Sequence, residues 1–351
     1  MPAFTGFSKQ LVNERSAEFF VPKGKTISKK LPVFYNPIMS LNRDISVLML
    51  RIFRPKYVCD LMAGTGVRSI RFCKESPRCD ITSNDSSQTA CSLMKENMVH
   101  NKVEFKIENK DANLLLAEST GFDYIDIDPF GTPVQFLDSS IKRISRKGIL
   151  AVTATDTSSL CGTHPKACLR KYWSIPSHSS TMHEIGLRIL IRRIQLIGAQ
   201  YDKSLTPVFS YSKNHYFRVF LACTKGKYYV DNMLTNHGTS DGSGPFWTGN
   251  LWDKEVAEKA LNDASKDQFF VNDPHLLSFL KIISSESEIS QIGFYDLHNL
   301  CERYKVNPIP KKDLIMQKLH SSGFKVSETH FSPTAIRSDV SISDLLKIMK
   351  K

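Results

Sequence analysis

The sequence predicts a doubly wound α/β domain on a seven-stranded, mainly parallel sheet, followed by a smaller helix-rich α+β domain. Three observations carry this. From about residue 45, short apolar runs alternate with helix-length stretches, the pattern of a parallel sheet covered on both faces. At the end of that series, the runs at 205–209 and 216–223 have no helix-length segment between them, so they pair as an antiparallel hairpin. A tract of turn formers at 236–250 then interrupts the chain, and the remaining hundred or so residues are mostly helical in pattern.

The expected strands, in order, are residues 57–63, 81–84, 104–107, 124–127, 149–153, 205–209 and 216–223, with one antiparallel edge strand. Helices are expected between the early strands, at 87–100 and 132–144. The strongest helical pattern covers 182–198, where Ile185, Ile189 and Ile197 are among the apolar positions and Arg188, Arg192 and Arg193 lie along it. Residues 1–235 are therefore read as the larger domain with an N-terminal extension, 236–250 as a linker, and 251–351 as the second domain. In the second domain, helices at 253–266, 273–284, 294–304 and 311–321 precede two short strands at 324–328 and 331–337, which suggests a winged-helix-like unit.

The chain has 351 residues, 41% of them apolar, and a net charge of +12. The charge is uneven: +8 over 1–80, −6 over 81–141, +12 over 142–228, −2 over 229–250 and zero over 251–351. A polyanion is expected to meet the first two thirds of the chain. Eight cysteines without a Cys-x-x-Cys pair indicate neither a disulfide framework nor a cysteine zinc site, so a reducing, cytoplasmic compartment is expected. No secretory leader pattern and no apolar run of membrane-spanning length is present, so the protein is expected to be soluble.

The strand at 124–127 ends in Asp128-Pro129-Phe130-Gly131. A carboxylate, a proline and an aromatic ring at a strand's carboxyl end can accept a proton from a nucleobase amine and stack on its ring; alternatively, Asp128 simply starts a turn. The first strand runs into Asp60-Leu-Met-Ala-Gly-Thr-Gly66, where Gly64 and Gly66 let backbone approach a ligand closely. Asp85 follows the second strand, at the position of a ribose-hydroxyl ligand, and Asp111-Ala112 follows the third, placed for an adenine edge. Each aspartate could equally be a helix N-cap. Four polar strand ends in register point instead to one ligand crevice. Ser69 stands where a third glycine would be, which favours an adenosine ligand without pyrophosphate, such as S-adenosylmethionine.

Longer strings then mark a resemblance: Val33-Phe-Tyr-Asn-Pro37 with Leu41-Asn-Arg-Asp44, the turn from Asp60 to Arg68, and Asp126-Ile-Asp-Pro-Phe-Gly131. Further along come Val152-Thr-Ala-Thr-Asp-Thr157 with Leu160-Cys-Gly162, Ala167-Cys-Leu-Arg-Lys-Tyr172, His183-Glu184 and Thr329-His-Phe-Ser-Pro-Thr334. With these, the chain resembles the archaeal-type tRNA (guanine26-N2)-dimethyltransferase family over nearly its whole length. The resemblance implies a class I, Rossmann-like methyltransferase domain that uses S-adenosyl-L-methionine, plus a family-specific C-terminal domain. It implies cofactor contacts from Arg43, Arg68, Asp85, Asp111 and Ala112, alongside Asp60, Gly64 and Gly66 of the turn. It further implies Asp128 as the catalytic carboxylate, Phe34 and Phe130 as a sandwich for the target guanine, and N2,N2-dimethylguanosine formed through N2-methylguanosine. The cysteine zinc ligands and basic tails of some eukaryotic relatives are missing here.

Position 26 lies at a junction of two tRNA arms, so its guanine has to swing out before an enzyme can reach its amine. Phosphate contacts that offset this are expected from Arg143, Arg146, Lys147, Arg170, Lys171, Arg188, Arg192 and Arg193. Cys161, His164 and Cys168 fit no standard zinc spacing, so no metal is expected, and amine methylation needs no cysteine nucleophile. His183 and Glu184 are expected at the pocket rim. Two other readings share part of the pattern: a methyltransferase acting on adenine in duplex DNA, and an RNA-binding protein without catalysis.

Overall fold

A computed structural model describes residues 6–24 and 31–350. The chain opens with a hairpin of β1 (Lys9–Glu14) and β2 (Ala17–Pro22), then α1 (Ser40–Phe53). The central series comes next: β3 (Tyr57–Asp60), α2 (Val67–Glu75), β4 (Asp80–Asn84), α3 (Gln88–His100), β5 (Lys106–Glu108), α4 (Ala112–Glu118), β6 (Phe122–Ile127), α5 (Val134–Arg143) and β7 (Ile144–Ala154). Three helices, α6 (Thr157–Leu160), α7 (Pro165–Tyr172) and α8 (Met182–Ala199), lead to β8 (Lys203–Lys213) and β9 (Tyr216–Lys225).

The seven strands β3 to β9 form one sheet in the order β5-β4-β3-β6-β7-β9-β8. Pairing is parallel from β5 to β7, whereas β9 is antiparallel to both neighbours. The reversed strand is therefore not at the edge, as expected from sequence. It is inserted between β7 and β8, and β8 forms the edge. The tight turn at Asn214, which takes a left-handed φ of 50°, forces β9 back along β8, and the free side of β7 accepts it.

The order β5-β4-β3-β6 makes β3 and β6 neighbours although two strands separate them in sequence, so their carboxyl ends flank a switch point. Beyond Tyr57 and Asp123 at their amino ends, both strands are buried. Val58, Cys59, Tyr124, Ile125 and Ile127 are fully covered, as a sheet with helices on both faces requires.

The segment expected as a linker is a second hairpin. α9 (Lys227–Leu234) leads into β10 (His237–Ser240) and β11 (Ser243–Trp247). Asp241 and Gly242 both have positive φ, the requirement of a tight two-residue hairpin turn, and Phe246 and Trp247 are buried. Its turn formers are thus hairpin signals.

The apolar core also does not divide at 236–250. α10 (Lys254–Lys266) and α11 (Pro274–Glu286) pack into the main core through Ala260, Phe279 and Ile283, and a separate core begins only at Leu297. That second core is enclosed by β12 (Tyr295–Asp296), α12 (Leu297–Tyr304), α13 (Lys312–Ser321), β13 (Val326–Thr329), β14 (Ser332–Ser338) and α14 (Ile342–Lys350). Its sheet has three strands in the order β12-β14-β13, rather than two.

The two cores are joined by a buried ion network. Arg337 on β14 reaches Glu184 at the start of α8 (2.7 Å) and Glu286 at the end of α11 (3.0 Å). Glu286 also accepts from Thr329 and pairs with His330. Burial pushes the Glu184 carboxyl up, but Arg337 and Arg188 outweigh it and hold it at about 2.

Candidate active site

A cavity of about 570 Å³ opens at the carboxyl ends of β3 to β6, within the usual range of small-molecule sites. It brings together Phe34, Arg43, Asp60, Gly64, Arg68, Asp85, Asp111, Ala112, Asp128 and Phe130, so ten of the eleven residues expected at the cofactor and base sites line one space. Gly66 is the exception. It caps α2 with φ +78°, and a Cβ there would meet the Met94 side chain at 2.5 Å, so its role is to turn the chain tightly against α3.

The loop after β6 is fixed from below. Gly131 donates to the Thr155 hydroxyl (2.7 Å), and Thr155 donates back to the Gly131 carbonyl (2.9 Å), which ties the loop after β6 to the end of β7. Asp128 receives an Nη2 hydrogen bond from Arg68 on Oδ2 (2.5 Å). Arg68 is held in turn by Asn42 (2.9 Å) and Ser46 (2.8 Å) on α1, and lies 3.4 Å from Asp126.

Asp126 is fully buried and takes two hydrogen bonds from Arg218 on β9 (3.0 and 2.6 Å) and one from Tyr124 (2.8 Å). Burial alone would raise its carboxyl, yet Arg218 and Arg68 leave it below the ordinary carboxylate range. Arg68 therefore orients Asp128 in addition to lining the cavity. Neither Arg218 nor Asn42 was expected from sequence. The available signal was a lone arginine inside the apolar run of residues 216–223, which only a buried carboxylate could accommodate.

Three more carboxylates line the cavity. Asp60 accepts from Ser69 (2.9 Å), which Ser83 supports in turn (2.6 Å). Burial pushes its carboxyl up to about 7; Arg68 opposes this and Asp126 adds to it. Asp85 accepts from the Gly64 amide (3.0 Å) and the Ser87 amide (2.9 Å), which locks the glycine turn in its left-handed form. Asp111 is the N-cap of α4, bonding the amides of Asn113 and Leu114 through Oδ1.

The two cavity arginines are already committed. Arg43 is paired with Glu14 of β1 through two hydrogen bonds (2.7 and 2.6 Å), and Glu14 also pairs with Arg71. The lining is thus acidic, which suits a ligand carrying positive charge.

The expected sandwich is not formed. Phe34 and Phe130 meet edge to face, with centroids 4.6 Å apart and planes at 83°, the favoured geometry of two rings in direct contact, so no base fits between them as they stand.

The expected phosphate contacts separate into three groups. Arg146 and Lys147 are exposed near the start of β7, and Arg143 bonds the carbonyls of Leu116 and Ala117. These three lie at the amino end of the parallel strands, opposite the cavity, because Ile144 pairs with Phe122 whereas Asp128 follows Ile127. Arg170 and Lys171 sit on α7 at the cavity side; Lys171 bonds Asp156 (3.2 Å). Arg188 is buried, pairs with Glu184 and donates to the carbonyls of Trp247 and Gly249, so it is a structural residue. Arg193 is buried against Trp173, and Arg192 bonds the Trp173 carbonyl (3.2 Å).

Glu184 is likewise buried in the ion network rather than at a rim. Cys161 lies 3.4 Å from His183 Nδ1, and burial pushes both Cys161 and Cys168 up to about 12, far from a thiolate. Among the described residues no His, Cys, Asp and Glu cluster could hold a metal ion, and no helix is long and apolar enough to cross a membrane.

A seven-stranded sheet with one reversed strand next to its edge, a glycine turn braced by acidic strand ends, and an Asp-Pro-Phe-Gly loop over the same cavity define a class I methyltransferase. Comparison narrows the class. The family model for N2,N2-dimethylguanosine tRNA methyltransferases matches residues 15–242 and 237–350, and the chain belongs to this family. The tRNA (guanine(26)-N(2))-dimethyltransferase of Pyrococcus furiosus is 37% identical, with 97% of this chain and 98% of that protein covered. A tRNA (guanine(26)-N(2)/guanine(27)-N(2))-dimethyltransferase of Aquifex aeolicus is 35% identical over 97% of this chain and 96% of its own length. Trm1 from Pyrococcus horikoshii, solved with S-adenosyl-L-methionine, superposes with a TM-score of 0.90 at 35% identity, covering 97% of this chain and 100% of that one.

Proposed function

We propose that this protein transfers methyl groups from S-adenosyl-L-methionine to the exocyclic N2 of guanine 26 in tRNA, giving N2,N2-dimethylguanosine through N2-methylguanosine. The observation that carries the reading is Asp128, held on Oδ2 by Arg68 while Oδ1 has no hydrogen-bond donor among the described residues. Its side chain is one-fifth exposed, so one carboxylate oxygen is available to a base entering the cavity.

Bound S-adenosyl-L-methionine supplies an electrophilic methyl on a sulfonium centre. Its positive charge fits the acidic lining of Asp60, Asp85 and Asp111, and the Gly64 turn admits it closely. The guanine amine is a poor nucleophile because its lone pair is delocalised into the ring. Asp128 accepts a hydrogen bond from that amine and takes up its proton as nitrogen gains the methyl, a role that contributes about 10²–10⁴-fold in rate. Arg68 holds the carboxylate in position throughout. Phe34 and Phe130 open from their mutual contact to stack on the base, at about 1–3 kcal/mol per base. An aromatic wall carries no donor that a first methyl group would displace, so a second transfer is accommodated.

The tRNA meets the basic stretch of residues 142–228 on the cavity side, and the flipped guanine enters between the Phe34 and Phe130 segments. The order β12, α12, α13, β13, β14 supports a winged-helix-like reading of the C-terminal unit, which braces the catalytic sheet and shapes the tRNA groove. Cytoplasmic residence fits eight cysteines that are all unpaired.

The test is methyl transfer from labelled S-adenosyl-L-methionine to unmodified tRNAs that differ only in guanine or adenine at position 26, with wild type and Asp128→Ala compared. Label that needs both guanine 26 and Asp128, recovered as dimethylguanosine, supports the reading. Label on the adenine variant moves the target elsewhere, and label on duplex DNA alone overturns it.

A further inference from the structure

Among the described residues seven arginines are buried, and six of them, among them Arg68, Arg71 and Arg218, are neutralised by carboxylates at 2.5–2.9 Å. Arg193 is the exception. It has no ion-pair partner among the described residues, and its Nε and Nη1 have no hydrogen-bond acceptor. Its guanidinium instead lies over the indole of Trp173, 3.6 Å from the ring centroid. The charge beside it is a like one, Arg192, which also lacks a carboxylate among the described residues and bonds only the Trp173 carbonyl. An unpaired buried cation is costly, so a chain that neutralises its six other buried arginines has left Arg193, with the half-buried Arg192 beside it, for a counter-charge from outside.

Trp173 shows where that partner sits. It follows α7 in a left-handed conformation (φ 54°) and is 50% exposed, whereas Trp247 and Trp252 are buried. Leu169 and Ile175 beside it are also more than half exposed, and Arg170 adds a further positive charge. The patch adjoins the catalytic loop, because the preceding residue, Tyr172, bonds Thr132 (2.9 Å), four residues after Asp128, as well as Asp156 (2.6 Å).

We propose that Trp173, backed by Arg192 and Arg193, is a second RNA-contact site beside the catalytic cavity. A nucleobase of the tRNA stacks on the open face of the indole, and the neighbouring phosphate supplies the negative charge that the fold withholds. Cation and ring cooperate here: a guanidinium on one face of an indole leaves the other free for a base, and sequence-tolerant stacking suits a contact outside the target nucleotide. The site rests on tRNA being the substrate.

The test uses the full-length protein, unmodified tRNA and the variants Trp173→Ala, Trp173→Phe and Arg192→Gln. Trp173→Ala is expected to raise the KM for tRNA by about 5- to 150-fold, with the defect in KM rather than kcat and with the KM for S-adenosyl-L-methionine unchanged. Trp173→Phe should recover most of the loss. In Arg192→Gln the slope of log affinity against log salt should fall by roughly 0.7–0.9. In the wild type, tRNA should shield the one exposed tryptophan from acrylamide quenching.

A wild type that methylates tRNA normally while Trp173→Ala and Arg192→Gln keep its KM for tRNA overturns the site, as does quenching that tRNA leaves unchanged. Where Trp173→Ala lowers the melting temperature, Arg192→Gln decides the matter, since it removes charge without removing the ring. Failure of the wild type to methylate any tRNA would instead overturn the substrate reading.

Discussion

Moving from pH 6 to pH 8 should tighten the binding of S-adenosyl-L-methionine about tenfold through a single carboxyl group, Asp60. Its side chain is almost fully buried at the floor of the cavity, with one hydrogen bond from Ser69, and burial raises it to about 7. A cationic ligand is drawn to the ionised form. If only that form binds well, the apparent Kd scales with the reciprocal of the ionised fraction, which is roughly 10% at pH 6 and 90% at pH 8. The assay is calorimetric titration at constant ionic strength from pH 6 to pH 8, with Asp60→Asn alongside. The ligand's own α-amino group titrates near 7.7–8.0 and affects both proteins alike, so the ratio of the two profiles isolates Asp60. The ligand-free protein gives a second readout of opposite sense. A raised folded-state value means that the native chain holds a proton the unfolded chain has lost between pH 3.8 and about 7. Stability without ligand should therefore fall across that window as pH rises, and Asp60→Asn should remove the slope. A wild-type affinity profile that parallels Asp60→Asn would refute the reasoning.

Asp128→Asn should lower kcat by about 10²–10⁴-fold while calorimetry still shows cofactor binding, because the amide keeps the bond geometry but takes up no proton. Arg218→Met should destabilise the protein by about 3–5 kcal/mol in urea unfolding, since it strands Asp126 in the core, and adding Asp126→Asn should recover part of the loss. Acid should act on Glu14 and Glu184, both held at about 2 by arginines: the stability they contribute is complete above pH 4.5 and drains away towards pH 2. Thermal melts between pH 6 and pH 3 should show this fall, and Glu184→Gln should be less stable at pH 6 but flatter with pH.

The sheet and its acidic strand ends were legible because parallel strands buried on both faces leave a strong apolar signature, and ligands gather at their carboxyl ends. Asp85 and Asp128 fall where that rule puts them. The hairpin at 237–247 is hard to recognise because Asp241-Gly242 looks the same in a loop as in a tight turn; only the burial of Phe246 and Trp247 separates the two. The N-terminal hairpin escaped because β1 is only half covered and has a weak alternation, yet Glu14 at its end anchors both Arg43 and Arg71. Basic residues were the least legible. Arg143, Arg188 and Arg193 look alike in sequence, but one caps carbonyls, one pairs with a carboxylate and one lies under a ring, and such assignments depend on neighbours anywhere from 4 to 61 residues away.

The junction of Glu184, Glu286 and Arg337 has a consequence for how this chain matures. Two carboxylates belong to the part synthesised first, and their shared counter-ion comes 51 residues after the second of them. Until Arg337 is in place, Glu184 keeps only Arg188 and Glu286 lacks its arginine, so the buried junction of α8 and α11 stays unfinished while it waits for β14. A nonsense mutation or a proteolytic cut ahead of β14 would therefore harm more than the terminal unit, because it would leave the older half of the molecule with the fault.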